Sequence, residues 1–306
     1  MISARGLIKR YSEVLAVDGL SFDVTPGAVT GFLGPNGSGK STTMRMILGL
    51  DAPTSGSVTV NGHPYRELVA PAREIGALLD PRCMHPGRTA RAHLRWMADA
   101  AGIGRRRVEE VLELVGVAAA ADRRVDTFSL GMRQRLGIAG ALLGEPGVLL
   151  LDEPLNGLDP EGIRWIRSLL CELAAGGRTV FVSSHLMNEM EETADRVVII
   201  NSGRLVAALE ISELRSRGIA VRVGAADPAQ ASVLAEALCR AGATVAGGPA
   251  GGLTVRGVAP ERIGRLALEH RIALRELAPQ THRLEESFLE LTADASAPTA
   301  RTEHLV

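Results

Sequence analysis

Nine consecutive residues combine a glycine-rich turn, an ammonium group and a hydroxyl in the order that a bound triphosphate requires. They match the phosphate-loop pattern G-x-x-x-x-G-K-[ST] without a mismatch. Glycines let successive backbone N–H groups face phosphate oxygens, and the N-terminus of the following helix adds positive charge. We predict that the lysine reaches the β- and γ-phosphates and that the serine after it ligates Mg²⁺. The residues are Gly34, Pro35, Asn36, Gly37, Ser38, Gly39, Lys40, Ser41 and Thr42.

Composition and flanking residues both favour a phosphate site over a glycine turn that merely precedes an ordinary helix. Lys9 and Lys40 are the only lysines in the sequence, so a chance match to the whole pattern is rare. The apolar run at 28–33 predicts a buried strand that enters the loop, and residues 42–48 predict the helix that leaves it. The context therefore agrees with the motif.

A second cluster of chemically useful residues follows two later strands. The apolar run at 149–151 ends in Asp152 and Glu153, and ligands of doubly wound sheets bind beyond the carboxyl ends of the strands. We predict that Asp152 holds Mg²⁺ and that Glu153 acts as general base on the attacking water. His185 follows the strand at 180–183. Beside the phosphate loop it can contact the γ-phosphate and orient that water, although a lone histidine is more often a capping or surface residue.

Residues 128–136, Phe-Ser-Leu-Gly-Met-Arg-Gln-Arg-Leu, resemble the signature motif of ATP-binding cassette (ABC) ATPases. Residues 156–159, which end in Asp159, look like the D-loop of that family, and His185 matches its switch histidine. The resemblance extends over about residues 2–210. It implies an α/β P-loop NTPase domain with a mixed sheet core, an antiparallel β subdomain and a helical subdomain.

The resemblance also implies how ATP and Mg²⁺ are held. Members of the family form a head-to-tail dimer that encloses two ATP molecules, each contacted by the signature motif of the second copy. Tyr11 stands where the family stacks an aromatic ring on adenine, with core packing as the alternative. The signature residues expected to act in trans are Ser129, Leu130, Gly131, Met132 and Gln134.

Two departures from the family pattern stand out. The commonest signature has glycine at the position of Leu130 and glutamine at that of Met132, whereas Ser129 and Gly131 are retained. Asp80 stands where the family has a glutamine that touches Mg²⁺ and senses the transporter. Aspartate still offers an oxygen ligand, but its side chain is shorter and charged, so a direct contact, an indirect contact and no contact with Mg²⁺ all remain open. These replacements are similar to those in the antibiotic- and drug-exporter branch of ABC ATPases. The nucleotide-binding subunits of that branch also carry a small C-terminal domain, whose final sequence resembles residues 284–291.

The domain organisation predicted from the sequence has three parts. Residues 1–210 form the ABC ATP-binding domain, with a helical subdomain at about 86–145. Residues 211–292 form a small α+β accessory domain, with strands at 220–223 and 253–256 and helices at 228–241 and 260–270. Leu284, Phe288 and Leu291 are spaced as the core stripe of a last helix, and residues 293–306 read as a disordered tail.

Composition limits the classes of function. A net charge of −1 gives no reason to expect nucleic acid as a partner. Cys83, Cys171 and Cys239 lack metal-site spacing and are expected to be reduced, incidental thiols. No apolar run is long enough for a signal peptide or a membrane span. The resemblance to ABC transporter ATPases further implies a cytoplasmic protein that binds peripherally to the inner face of the cell membrane.

The favoured function is an ATPase subunit that energises a separate transmembrane permease, exporting drugs, antibiotics or lipid-like compounds. The permease is expected to contact residues 81–92. The alternative is a soluble ABC ATPase that acts on ribosomes or DNA, but such relatives usually carry two cassettes or a long coiled coil. A small-molecule P-loop kinase would leave the signature motif and the Asp159 loop unexplained.

Overall fold

The computed structural model describes residues 1–213, 219–247 and 252–281. The chain divides into two compact units, Met1–Glu210 and the residues from Ile211 onward. The strands of the first unit are β1 (Ile2–Tyr11), β2 (Val14–Val24), β3 (Val29–Leu33), β4 (Ser55–Val60), β5 (Ile75–Leu78), β6 (Val148–Leu151), β7 (Thr179–Ser184), β8 (Arg196–Asn201) and β9 (Arg204–Glu210). Its α-helices are α1 (Lys40–Ile47), α2 (Pro71–Glu74), α3 (Ala90–Ala100), α4 (Arg105–Leu114), α5 (Leu130–Leu142), α6 (Pro160–Ala175) and α7 (Met187–Glu191).

The central sheet of the first unit has six strands in the order β5-β6-β7-β3-β8-β9. Strands β5, β6, β7, β3 and β8 are parallel. Strand β9 pairs antiparallel with β8 at the edge, after the turn at 202–203. Every residue of β3, β6 and β7 is buried, as expected for parallel strands covered on both faces. Their carboxyl ends lie side by side, which brings together the loops that follow them.

A second sheet has the order β2-β1-β4 and is antiparallel throughout. Phe22 of this sheet packs against Phe32 and Phe181 of the central sheet, with ring centroids 5.6 and 5.7 Å away. An Asn-Gly pair, which is typical of two-residue hairpin turns, follows β4 as Asn61 and Gly62, and both residues have positive φ. However, β4 pairs across its length with β1, and beyond the turn only a single Val60–His63 bridge follows. The turn ends the strand rather than building a hairpin.

The helical insert comprises α3, α4 and α5. Ser129 caps α5, because its hydroxyl accepts a hydrogen bond from the Met132 N–H at 3.2 Å. Asp159 caps α6 in the same way, with Pro160 in the first turn. Both caps place a polar side chain at the exact start of a helix, and those two starts form one surface described below.

The second unit has the element order of a ferredoxin-like fold, βαββαβ. Its sheet is antiparallel in the order β11-β12-β10-β13. The sequence-based prediction missed β11 and β13, and the last helix and the tail lie outside the described residues. The elements are β10 (Ile219–Ala225), α8 (Ala231–Arg240), β11 (Thr244–Gly247), β12 (Leu253–Arg256), α9 (Pro260–Glu269) and β13 (Leu274–Thr281).

Candidate active site

The phosphate loop joins β3 to α1 and presents an uncapped helix N-terminus. Gly39, the N-cap residue, has φ 101°, no side chain bonds to the cap, and the first turn of α1 contains no acidic residue. Gly37 also has positive φ, at 80°. The first N–H groups of a helix have no partner within it, and their dipoles favour an anion. This helix start therefore offers donors and positive charge to a phosphate.

Lys40 lies beneath the loop rather than in solvent, with 6% of its surface exposed. Its ammonium group donates to the carbonyl oxygens of Gly34 at 2.7 Å and Pro35 at 3.2 Å. A Cβ at position 34 would stand 2.4 Å from the Ile200 carbonyl oxygen and 2.6 Å from Ser38 Oγ. Only glycine fits there, and Ser38 Oγ is itself buried without a hydrogen-bond partner. An orphaned hydroxyl at this point fits a loop built to take a further polar ligand.

Ser41 and Asp152 line one cavity of about 550 Å³, which Asp80 also lines. Ser41 is exposed and Asp152 is 8% exposed. A hydroxyl, a carboxylate oxygen and phosphate oxygens are the ligands that Mg²⁺ takes, with water completing the octahedron. In the described residues no cluster of three or more His, Cys, Asp or Glu side chains could hold a metal without a ligand's help. The donor set thus fits a cation that arrives with a nucleotide.

Ser183, on β7, orders the two carboxylates that follow β6. Its hydroxyl donates to Asp152 Oδ1 and accepts a hydrogen bond from the Glu153 N–H at 2.8 Å. Ser183 is fully buried. A serine near the end of a strand carries no functional signal in the sequence, so Ser183 could not be predicted as a site residue. Only the pairing of β6 with β7 brings it to the carboxylates.

Glu153 lies in a polar network and has a strained backbone. Its φ of 49° is unusual for a residue other than glycine. Its Oε2 lies 2.9 Å from His185 Nδ1 and accepts a hydrogen bond from Asn156 Nδ2 at 3.2 Å, while Oε1 is 3.6 Å from Lys40 Nζ. The structure brings Glu153, His185 and Lys40 together in one chain. A carboxylate so oriented can accept a proton from a water beside the γ-phosphate.

The signature residues and the D-loop form a separate groove of about 430 Å³. A Cβ at Gly131 would lie 3.3 Å from Leu158, and a Cβ at Gly157 would lie 2.4 Å from Leu130. The leucine of each segment thus occupies the space left by the glycine of the other. We call this surface the signature groove; it is lined by Ser129, Leu130, Gly131, Met132, Arg135, Gly157, Leu158, Asp159, Glu161 and Gly162.

Gln134 lies elsewhere than on the surface expected for it. Its side chain is 1% exposed, and its Nε2 donates to the Pro154 carbonyl oxygen at 2.8 Å. Gln134 points inward from α5 toward the loop that follows Glu153, unlike Leu130, which is 43% exposed. Gln134 therefore fastens α5 to that loop and does not line the signature groove.

Tyr11 ends β1 with an exposed ring, so core packing does not explain it. The residue is 42% exposed, and Lys9 Nζ lies 4.7 Å from the ring centroid. Its hydroxyl donates to Asp51 Oδ2 at 2.7 Å, and this bond raises the pKa of the phenol above its ordinary value. The nearby Thr42 side chain opposes this shift, so the ring lies beside the end of the phosphate loop.

Asp80 lies at the expected place but bonds within its own loop. Its carboxylate accepts hydrogen bonds from the Arg82 N–H at 2.8 Å and from Arg82 Nε at 3.0 Å. The Arg82 guanidinium holds the pKa of Asp80 below its ordinary value. Although Asp80 lines the cavity of Ser41 and Asp152, its negative charge is already paired. This arrangement weakens the expectation that Asp80 ligates a metal directly.

The site combines a phosphate loop after β3, a carboxylate pair after β6 and a helix-capping signature on a mixed α/β sheet. This combination defines a P-loop nucleotide hydrolase. Comparison with known proteins gives the family. Residues 17–156 match the family model described as "ABC transporter". The chain is 42% identical over 223 residues to the bacitracin transport ATP-binding protein BcrA of Bacillus licheniformis, covering 71% of this chain and 72% of that protein. The chain belongs to the ABC transporter family.

Other matches agree with this assignment. The Nod factor export ATP-binding protein I of Paraburkholderia xenovorans is 41% identical, over 65% of this chain and 67% of that protein. An ATP-binding subunit of an ABC transporter superposes with a TM-score of 0.64 at 28% identity, over 70% of this chain and 92% of that one. The cassette MJ0796 bound to ADP and Pi in a post-hydrolysis state gives 0.63 at 25%, over 69% and 99%.

These findings confirm the predicted family, fold class and activity. The chain is an ATP-binding, ATP-hydrolysing subunit of the ABC transporter family, and its similarity to transport proteins supports the transport function over the ribosome- or DNA-acting alternative. Residues 218–285 match a domain of unknown function (DUF8746). Among the helices that the structure describes, none is both long and apolar enough to span a bilayer.

Proposed function

We propose that two copies of this chain close head to tail around two ATP molecules and thereby drive a separate transmembrane permease. One observation carries the proposal: the cavity of Ser41 and Asp152 shares no lining residue with the signature groove. The capped start of α5 therefore lies outside the cavity that Ser41 and Asp152 line. A second copy, turned by a two-fold axis, would bring its signature groove to that site.

Within each site the residues have separate tasks. Lys40 would exchange its bonds to the loop carbonyls for phosphate oxygens, and the N-terminus of α1 would hold the rest of the triphosphate. Ser41 and Asp152 would hold Mg²⁺, which supplies positive charge that offsets the charge of the phosphates. Glu153, oriented by His185, would take a proton from the attacking water. Ser129 and Gly131 of the second copy would complete the site from the other side.

The proposed cargo and direction of transport come from the relatives. BcrA is a bacitracin transport protein and the Nod factor protein is an export protein by name. We propose that the permease partnered by this subunit exports an antibiotic, a drug or a lipid-like compound. The subunit would then bind peripherally at the cytoplasmic face of the membrane, and the loop at 81–92 would meet the permease.

Association can be tested with the Glu153→Gln variant, which should bind ATP and not consume it. Light scattering after size exclusion should show a dimer in Mg²⁺ and ATP, and a monomer in ADP or without nucleotide. The Lys40→Ala/Glu153→Gln double variant is the matched control and should stay monomeric. A Glu153→Gln chain that remained monomeric at saturating ATP would contradict the proposed closure.

Coupling to a permease is tested by affinity purification of the tagged wild-type chain from detergent-solubilised membranes. Co-purification of a polytopic membrane protein encoded by the same host supports the proposal. Recovery of ribosomes or DNA in its place would contradict it.

A further inference from the structure

The geometry points to Arg135 as a positioning residue for the signature groove, which this chain would contribute to its partner's ATP site. This inference rests on the proposed head-to-tail closure. Arg135 lines the signature groove, and its guanidinium stacks on the Trp165 ring with 4.0 Å between the guanidinium carbon and the ring centroid. Arg135 Nη1 also donates to the Val115 carbonyl oxygen at 2.9 Å. A single side chain on α5 thus touches both α6 and the end of α4.

Two of these helices, α5 and α6, carry the residues that must reach the partner's site together. Ser129 caps α5 and Asp159 caps α6, and both line the signature groove. At their N-terminal ends the helices touch through Leu130 and Leu158, each seated against a glycine. Apolar contacts of this kind resist separation but are not directional. A rotation of α5 against α6 would change the position of Ser129 relative to Asp159.

Arg135 supplies the directional contact. The planar guanidinium can stack on an indole face and donate in its own plane at once, which a lysine cannot do. In the part of the chain that the structure describes, no carboxylate lies within 4 Å of Arg135 to form an ion pair. Stacking and one neutral carbonyl therefore fix its place. Arg135 sets the angle between α5, which begins at the signature residues, and α6, which follows the D-loop.

The test captures an untagged chain, the prey, with a tagged chain, the bait. The choice of bait shows whether the prey's phosphate loop or its signature groove is at fault, and every chain carries Glu153→Gln so that ATP is retained. A Lys40→Ala bait lacks a working phosphate loop but offers an intact signature. A Gly131→Asp bait keeps its phosphate loop and offers a blocked signature. An Arg135→Ala prey should be captured by the first bait as well as a wild-type prey. The second bait should need about tenfold or more ATP to capture it, since small misplacements of binding groups cost that much.

Two further preys make the result specific. Trp165→Leu should reproduce the Arg135→Ala pattern, whereas Trp165→Phe, which keeps an aromatic face, should behave as wild type. Arg88→Ala is the matched control, because Arg88 stacks on Trp96 at 4.7 Å in the same helical insert but does not line the signature groove. It should be captured equally by both baits.

Each remaining outcome overturns the inference. Equal capture of Arg135→Ala and wild-type prey by the Gly131→Asp bait would mean that Arg135 positions nothing. Poor capture by both baits would mean a general folding defect. Failure of either bait to capture a wild-type prey in an ATP-dependent manner would remove the proposed dimer itself, and that result is distinguishable because it involves no change at Arg135.

Discussion

His185 Nδ1 and Glu153 Oε2 lie 2.9 Å apart, across two neighbouring strands of the central sheet. The histidine that follows β7 thus holds one oxygen of the carboxylate that follows β6, while Lys40 lies 3.6 Å from the other oxygen. Contacts within one chain therefore orient the proposed base. What a single chain does not provide at this site is the signature groove.

Glu153→Gln should separate catalysis from binding. The amide keeps the shape of the side chain but cannot accept the proton of the attacking water, so kcat should fall about a hundredfold or more. ATP affinity should change little. Lys40→Ala should show the reverse order of effects, with a loss of nucleotide affinity first. Titration of a fluorescent ATP analogue and phosphate-release rates measure both; a Glu153→Gln chain that hydrolysed ATP at the wild-type rate would rule out the base assignment.

Ser183→Ala should disturb both carboxylates at once. Removal of the hydroxyl leaves buried Asp152 Oδ1 and the Glu153 N–H without their partner, at a cost of about 1–3 kcal/mol in the free energy of unfolding. The Mg²⁺ concentration for half-maximal ATPase activity should rise. Ser184→Ala is the matched control, because Ser184 Oγ bonds only to the backbone of Leu186 in the described structure. Equal Mg²⁺ dependence in the two variants would refute the role given to Ser183.

Tyr11 should contribute to affinity through its ring and not through its hydroxyl. Tyr11→Ala should weaken ATP binding about tenfold, since stacking of a base on an aromatic ring is worth roughly 1–3 kcal/mol. Tyr11→Phe loses only the bond to Asp51 and should bind ATP nearly as wild type. Tripolyphosphate, which has no base, serves as the control ligand and should bind all three proteins alike. A parallel loss of tripolyphosphate binding in Tyr11→Ala would place the ring elsewhere.

Arg82→Ala should release Asp80 and raise its pKa toward the ordinary value, because the Arg82 hydrogen bonds hold it low. A depressed carboxyl pKa stabilises the fold above the pKa of the unfolded chain and loses that effect as pH falls through the folded value. The difference in unfolding midpoint between wild type and Arg82→Ala should therefore be largest at neutral pH and shrink in acid. Thermal unfolding from pH 7 to pH 3 measures it; a difference that grew in acid would contradict this pairing.

The local motifs could be predicted from the sequence because their residue types encode the backbone geometry. The phosphate loop needs glycine at positions 34, 37 and 39, and the strand before it is apolar throughout. Contacts between distant segments left no such trace. Ser183 meets Asp152 only because β6 pairs with β7. The short-range pairing of Asp80 with Arg82 depends on how their own loop folds. β11 was not predicted because it is a strand of only four residues, Thr-Val-Ala-Gly, with small side chains. β13 was not predicted because it lies at the sheet edge, where Leu277 is 38% exposed.

Head-to-tail closure is tested most directly by forming a disulfide between the phosphate loop of one copy and the signature groove of another. Cys83, Cys171 and Cys239 are free and exposed, so each is first replaced by serine. One tagged chain then carries Asn36→Cys and a second carries Ser129→Cys, both with Glu153→Gln. Head-to-tail closure predicts a cross-linked pair of the two different chains under mild oxidation, formed with Mg²⁺ and ATP and not with ADP. A cross-link within a chain that carries both cysteines, or no cross-link between chains at saturating ATP, would contradict it.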